Sequence, residues 1–160
     1  MIDMANWQRG LELRFPPLAL TLAFAALMVA ADRMAPALAL VGLHGRVAGT
    51  ATLLIGGLIC LIGVRQFRAH ATTVNPLAPD RSSVLVTNGI YRHTRNPMYL
   101  GFVVMLIGLG TILGSLPALA LLPLFIAYLS RFQIVPEERI LENKFGAPYR
   151  AYREHLPRWL

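Results

Sequence analysis

This sequence has little charge and almost no cysteine. Only 14% of its 160 residues are charged, 15 lysines and arginines against eight acidic side chains, while 56% are hydrophobic. So few charges cannot coat a soluble domain of this length, and the balance is that of a membrane protein. The single cysteine, Cys60, lies inside an apolar stretch. It excludes an internal disulfide and a cysteine-rich metal site, and it reads as a packing residue. Histidines at 44, 70, 93 and 155 have no ligand-like spacing, so no metal is expected. No Gly-x-Ser-x-Gly elbow, P-loop or His-Glu-x-x-His motif is present, which removes the commonest hydrolase and nucleotidase readings. Gly108-Leu109-Gly110 follows no strand pattern, so a dinucleotide-binding turn fails its context test. The net charge of +7 does not mark a nucleic-acid binder, because the arginines gather beside apolar segments instead of interleaving with exposed aromatics.

The apolar residues form long uncharged stretches: Phe15–Ala31, Val47–Val64 and Asn96–Ser130. The last is far too long for one soluble helix but suits a hairpin of two spans. The expected fold is an all-α polytopic membrane protein, a single domain over 1–160 with about four transmembrane helices at 15–31, 47–67, 97–113 and 116–135. A polar loop over 68–96 and an amphipathic helical tail over 136–160 complete it. Residues 1–14, with Trp7 among charges, fit an interfacial helix before a retained first span, and 35–43 fits a re-entrant or interfacial piece. Ser83–Val86 has the pattern of a short extended segment. Gly114-Ser115-Leu116-Pro117 is the tight turn of the hairpin. Pro136-Glu137-Glu138 signals a new helix, Phe145-Gly146 its end, and Pro148–His155 a second short helix. Lysine and arginine number five in 65–97 and six in 131–160, against two in 32–46 and none in 114–117. By the positive-inside rule both termini and the large loop are cytoplasmic.

Glycines 49, 56 and 63 recur every seven residues, and Gly101 and Gly108 repeat that step in the third span. Seven residues return to one helix face, and small residues let backbones approach closely in lipid. The second and third spans are therefore expected to pack through these stripes.

Polar chemistry meets membrane at Asn88–Gly101. Asn88-Gly89 is a turn signal, Arg92, His93 and Arg95 follow, and Asn96-Pro97 has the N-cap and first-residue signature of a helix. Free backbone N–H groups, the helix dipole and two arginines make an anion site in outline. Glu137 and Glu138 offer the opposite sign on the same side of the membrane, and Tyr91 and Tyr99 offer aromatic faces. Such a pocket suits a zwitterionic, purine-bearing cofactor. Arg131, a charge in the last turns of the fourth span, is a functional candidate by cost alone.

The pattern Asn-Gly-x-Tyr-Arg-x-x-Arg-Asn-Pro-Met-Tyr-Leu-Gly, then a hydrophobic hairpin, then Glu-Glu-Arg-x-Leu-x-x-x-Phe-Gly-x-x-Tyr-x-x-Tyr, resembles the isoprenylcysteine carboxyl methyltransferase family. Phospholipid N-methyltransferases are a more distant likeness, and the match covers about residues 83–158. The resemblance implies an integral-membrane methyltransferase using S-adenosyl-L-methionine and a lipophilic or lipid-linked acceptor, a carboxylate, thiol or amine, drawn from the surrounding membrane lipids. Cofactor contacts carried over by position are Leu85, Val86, Tyr91, Arg95, Asn96, Pro97, Met98, Tyr99, Glu137 and Glu138. Two positions depart from the family: Asn96, where many members have His, and Gln133, where eukaryotic members have a substrate-binding Arg. Arg131, two residues earlier, is the substitute available to position substrate. Methyl transfer from a sulfonium is an in-line displacement that needs alignment and a dry site more than a strong acid or base, which agrees with the lack of a triad. The alternatives are an NADPH-dependent membrane reductase of sterol-reductase type and a non-catalytic membrane subunit. No nucleic-acid partner is expected, and nothing in the sequence sets an oligomeric state.

Overall fold

The computed structural model describes residues 12–34, 42–69 and 84–160. The expectations for residues 1–11 and 35–41 and for residues 70–83 of the 68–96 loop lie outside them. Helix α1 is Pro17–Met34, α2 is Leu43–Ala69 and α3 is Pro97–Leu113. A short α4, Leu116–Leu119, leads to α5, Leu122–Leu129, then a π turn, Ser130–Ile134, then α6, Val135–Phe145, and finally α7, Ala147–His155. There is no strand among the described residues, and Val84–Val86 is irregular. Pro17–Met34, Leu43–Ala69 and the run Leu116–Phe145 are each long and apolar enough to cross a membrane, and α3 is a shorter apolar helix. This is an all-α polytopic membrane protein.

Helix α3 lies at the centre. On one side it meets α2 through the expected glycine stripes, and Gly49, Gly56 and Gly63 are the residues of α2 that are buried. A Cβ on Gly56 would stand 2.6 Å from both Gly101 O and Met105 N, and one on Gly108 would stand 2.5 Å from Leu53 N. The backbones themselves are in contact, so only hydrogen fits between them. On the other side Tyr99, Val103 and Leu106 pack with Phe24 and Met28 of α1 and with Ala118, Phe125, Leu129 and Ile134. The Phe24 and Phe125 rings are 5.1 Å apart. Leu18, Leu22, Leu54, Leu58, Leu61 and Leu124 point outward, where lipid tails replace water.

Three expectations about element boundaries need correction. Helix α2 begins at Leu43, four residues before the expected start of the second span at 47, and takes in His44-Gly45-Arg46. Near its start the fourth span is broken at Ala120-Leu121. Pro123 has no N–H to give the Leu119 carbonyl, and the helix restarts around it. At its far end Pro136 does not open a separate helix. The run continues from α5 through the π turn into α6, because the Phe132 carbonyl that Pro136 cannot serve accepts the Leu13 N–H at 2.9 Å. The hairpin turn is as expected: Gly114 ends α3 at φ 65°, and the Ser115 side chain accepts from Ala118 N. So is the end of α6, at Gly146.

Candidate active site

One end of the bundle holds a cleft formed by the last turn of α2, the approach to α3 and its first turn, α6 and α7. All ten residues carried over as cofactor contacts line it: Leu85, Val86, Tyr91, Arg95, Asn96, Pro97, Met98, Tyr99, Glu137 and Glu138. Phe67, Val84, Leu141, Tyr149 and Tyr152 line it as well. The cleft has a volume of about 60 Å³.

The approach to α3 is a single 3₁₀ turn, Gly89–Arg92, in which Gly89 takes φ 57°. Gln66 of α2 packs directly where a Gly89 side chain would stand, and its Oε1 accepts the Ile90 N–H at 3.2 Å. Tyr91 is thereby turned inward, its ring edge-on to Phe67 at 5.2 Å. Pro97 opens α3 as expected, but the Asn96 side chain makes no capping bond. It donates instead to Arg158 O at 2.9 Å, while Thr94 Oγ1 accepts the Asn96 N–H. The outlined anion site changes accordingly. Arg92 is exposed and off the cleft, and Arg95 faces a carboxylate.

Two carboxylates and two guanidiniums meet in this cleft. Tyr99 Oη donates to Glu137 Oε2 at 2.9 Å. Arg95 Nη1 lies 2.9 Å from Glu138 Oε1 as an ion pair out of line for a hydrogen bond, so Arg95 Nε and Nη1 are buried without an acceptor. Arg158 grips both oxygens of Glu138, from Nε at 3.2 Å and from Nη2 at 2.7 Å. The Tyr91 hydroxyl is also buried without a partner. Burial, with the Glu137 charge behind it, pushes the Tyr91 phenol well up. Burial likewise raises Tyr149, and Tyr152 goes up to about 12 against the opposing charge of Arg95. These phenols stay protonated at neutral pH and act as aromatic walls and donors, not as bases.

Arg131 and Gln133 lie elsewhere. Arg131 Nη1 pairs with Glu12 Oε1 at 3.0 Å, with its guanidinium 5.4 Å from the centre of the Phe132 ring. Gln133 is fully buried in the π turn, donating from Nε2 to Phe15 O at 2.8 Å and leaving Oε1 without a partner. The sequence reading missed Phe67, Tyr149, Tyr152 and Arg158. Tyr149 and Tyr152 stand in the quoted Tyr-x-x-Tyr pattern, three apart and so on one face of α7. Arg158 carries no such signal. Among the described residues no group of His, Cys, Asp and Glu is arranged to hold a metal.

An apolar bundle with a polar, aromatic-walled cleft at one end defines an integral-membrane protein. The model of the family described as Phospholipid methyltransferase matches residues 45–148, about two-thirds of the sequence, and the chain belongs to that family. The matched region contains the glycine seam, the α3 approach and both glutamates. A protein of Schizosaccharomyces pombe named Protein-S-isoprenylcysteine O-methyltransferase is 33% identical over 78 residues, covering 49% of this chain and 33% of that protein. This chain thus spans about a third of that relative's length. An uncharacterized protein of Haemophilus influenzae is 40% identical over 63 residues, covering 39% of this chain and 100% of its own. No solved structure matches. The resemblance read from the Asn88–Gly101 and Glu137–Tyr152 patterns therefore stands.

Proposed function

We propose that this protein transfers a methyl group from S-adenosyl-L-methionine to a lipophilic or lipid-linked carboxylate, thiol or amine at the cytoplasmic membrane interface. The observation that carries the reading is two buried donors without a hydrogen-bond partner, Arg95 Nε and the Tyr91 hydroxyl, in a cleft that also presents Glu137. When bound, the cofactor supplies a methyl group on a sulfonium centre, already activated for displacement. Arg95 would hold its carboxylate, Glu137 its cationic or hydroxyl groups, and Phe67, Tyr91, Tyr149 and Tyr152 its purine face.

The residues left for chemistry align and desolvate. Tyr99 fixes the Glu137 carboxylate through its hydroxyl, and Pro97, Met98 and Val86 form an apolar floor that excludes water from the reacting line. An acceptor arriving from lipid reaches this floor where α3 begins. Calorimetric titration of the detergent-purified protein with S-adenosylhomocysteine, S-adenosylmethionine and NADPH tests the reading. Saturable binding of the first two alone supports it, binding of NADPH alone gives the reductase, and silence from all three gives a non-catalytic subunit. Sidedness is tested with thiol reagents on His93→Cys and Leu116→Cys in a Cys60→Ser background. Labelling of position 93 from the cytoplasm and of position 116 from the opposite side supports the orientation, and the reverse refutes it.

A further inference from the structure

After α7 the chain turns extended at Leu156 and lies back along the approach to α3. Three consecutive residues of that approach bind it. Thr94 Oγ1 and Asn96 Nδ2 both donate to Arg158 O, at 3.3 and 2.9 Å, and Arg95 N donates to Pro157 O at 3.3 Å. Trp159 packs against the core cluster that includes Tyr99 and Ile134. Between these anchors the Arg158 side chain reaches the cleft and grips both oxygens of Glu138.

We propose that residues 156–160 form a strap that sets the shape of the cleft, and that Arg158 is a positioning residue acting through Glu138 on Arg95. The argument is one of competition. Glu138 is almost fully buried, with 11% of its side chain exposed, and two guanidiniums face it. Because Arg158 takes both oxygens in a fork, Arg95 is left with a single ion-pair contact to Glu138, and its Nε and Nη1 make no hydrogen bond in the protein. A bidentate guanidinium–carboxylate pair is the stronger arrangement. Without Arg158, Arg95 is free to swing into that fork itself, and its donors are lost to the ligand. Arg158 thus holds Arg95 available for an anionic group. This inference rests on the proposed cofactor reading for the identity of that group.

The test uses Arg158→Met, which keeps most of the aliphatic stem, and Arg158→Lys, which keeps the charge without the fork. Both are titrated with S-adenosylhomocysteine and with 5′-methylthioadenosine, which lacks the amino-acid carboxylate. Arg158→Met is expected to weaken the first roughly 10- to 100-fold, the worth of a charged hydrogen bond, while leaving the second within about twofold. Arg158→Lys should recover only part of the loss. Equal losses for both ligands would mean general damage and would overturn the positioning role, as would no loss for either. A ligand-free readout judges the strap separately. With Trp7→Phe as background, Trp159 is the sole tryptophan, and Arg158→Met should make it more accessible to acrylamide. Unchanged quenching overturns the strap. If the unmodified protein binds neither ligand, the cofactor reading fails and the positioning role falls with it, while the quenching result still decides the strap.

Discussion

Adding one methyl group at Gly56 tests the seam that holds α3, and with it the cleft, in place. The new Cβ would stand 2.6 Å from Gly101 O and from Met105 N, whereas ordinary contact begins near 3.4 Å. Both obstacles are backbone, so no side chain can swing aside and the helices must part by the difference, roughly 0.8 Å. A gap of that order forfeits a quarter to a half of each dispersion contact along the seam, about 0.1–0.2 kcal/mol per atom pair at full strength. Over some tens of pairs the loss is on the order of 1–2 kcal/mol, in line with the ~1–3 kcal/mol of overpacked cores. Helix propensity returns up to about 1 kcal/mol. Gly57 supplies the internal control, since a Cβ there meets nothing within 4 Å. Gly57→Ala should be neutral or stabilising by about 0.5–1 kcal/mol, so the two variants should differ by roughly 2 kcal/mol. Thermal unfolding of the detergent-solubilised protein, followed by tryptophan fluorescence with size exclusion as a check on assembly, measures that difference. Indistinguishable midpoints for Gly56→Ala and Gly57→Ala would refute backbone contact as the basis of the α2–α3 seam.

Two further changes probe the cleft and the segment docked beside the π turn. Tyr99→Phe removes the hydroxyl that donates to Glu137 and should weaken S-adenosylhomocysteine binding by roughly tenfold in calorimetry, with the melting profile little changed. Glu137→Gln should do the same, and unchanged affinity in both would remove Glu137 from the site. Glu12 faces Arg131 and Arg139, each at 3.0 Å. Burial pushes its carboxyl up, but the hydrogen bonds and charges of the two arginines outweigh burial and hold it below the ordinary range. Its contribution is therefore present above the ordinary carboxylate pKa and is lost as the pH falls through the folded value. With both arginines about half exposed, the contribution is at most about 1 kcal/mol. Glu12→Gln should be slightly less stable than the unaltered protein at pH 7, and denaturant midpoints of the two should converge toward pH 3. A constant gap across that range would contradict the ion-pair account.

What could be read in the sequence was local and periodic. The seven-residue glycine step needs only helix geometry to place its residues on one face, and the α2–α3 seam follows. Gly114, Pro97 and Gly146 acted through their own backbone constraints, so the helix ends they mark were legible. Eight of the ten cleft residues came from two short patterns, and Leu85 and Val86 from the stretch just before the first. Arg158 was not legible, because its meaning depends on a carboxylate 20 residues away and on an approach segment more than 60 residues away. Asn96 was misread for a related reason: its side chain has a better partner in that distant carbonyl than in its own helix. Pro136 misled because a proline starts a helix in most contexts. Here a neighbouring N–H, from Leu13, satisfies the carbonyl that proline leaves open.

The π turn leads to an asymmetric prediction. Buried positions on the last membrane run fall at Phe125, Leu129, Gln133, Ile134, Pro136 and Glu138, so that two adjacent residues, Gln133 and Ile134, are both turned inward within the π turn. An α-helix keeps one face inward with steps of three or four; two adjacent inward residues carry one residue too many for that face. A π turn, with its i to i+5 bond, absorbs the surplus residue locally. The helices on either side therefore keep the register they would have had without it, which is why Phe125 and Glu138 share the inward face. Deleting Ser130 should let the turn close into regular α-helix while Glu137 and Glu138 still face the cleft, with S-adenosylhomocysteine affinity kept within a few-fold. Inserting one alanine after Ser130 gives a second surplus residue that the turn cannot absorb, and it rotates α6 by about 100°. That variant should lose binding altogether. A regular helix would be equally intolerant of both changes, so equal damage from deletion and insertion would refute the role assigned to the π turn.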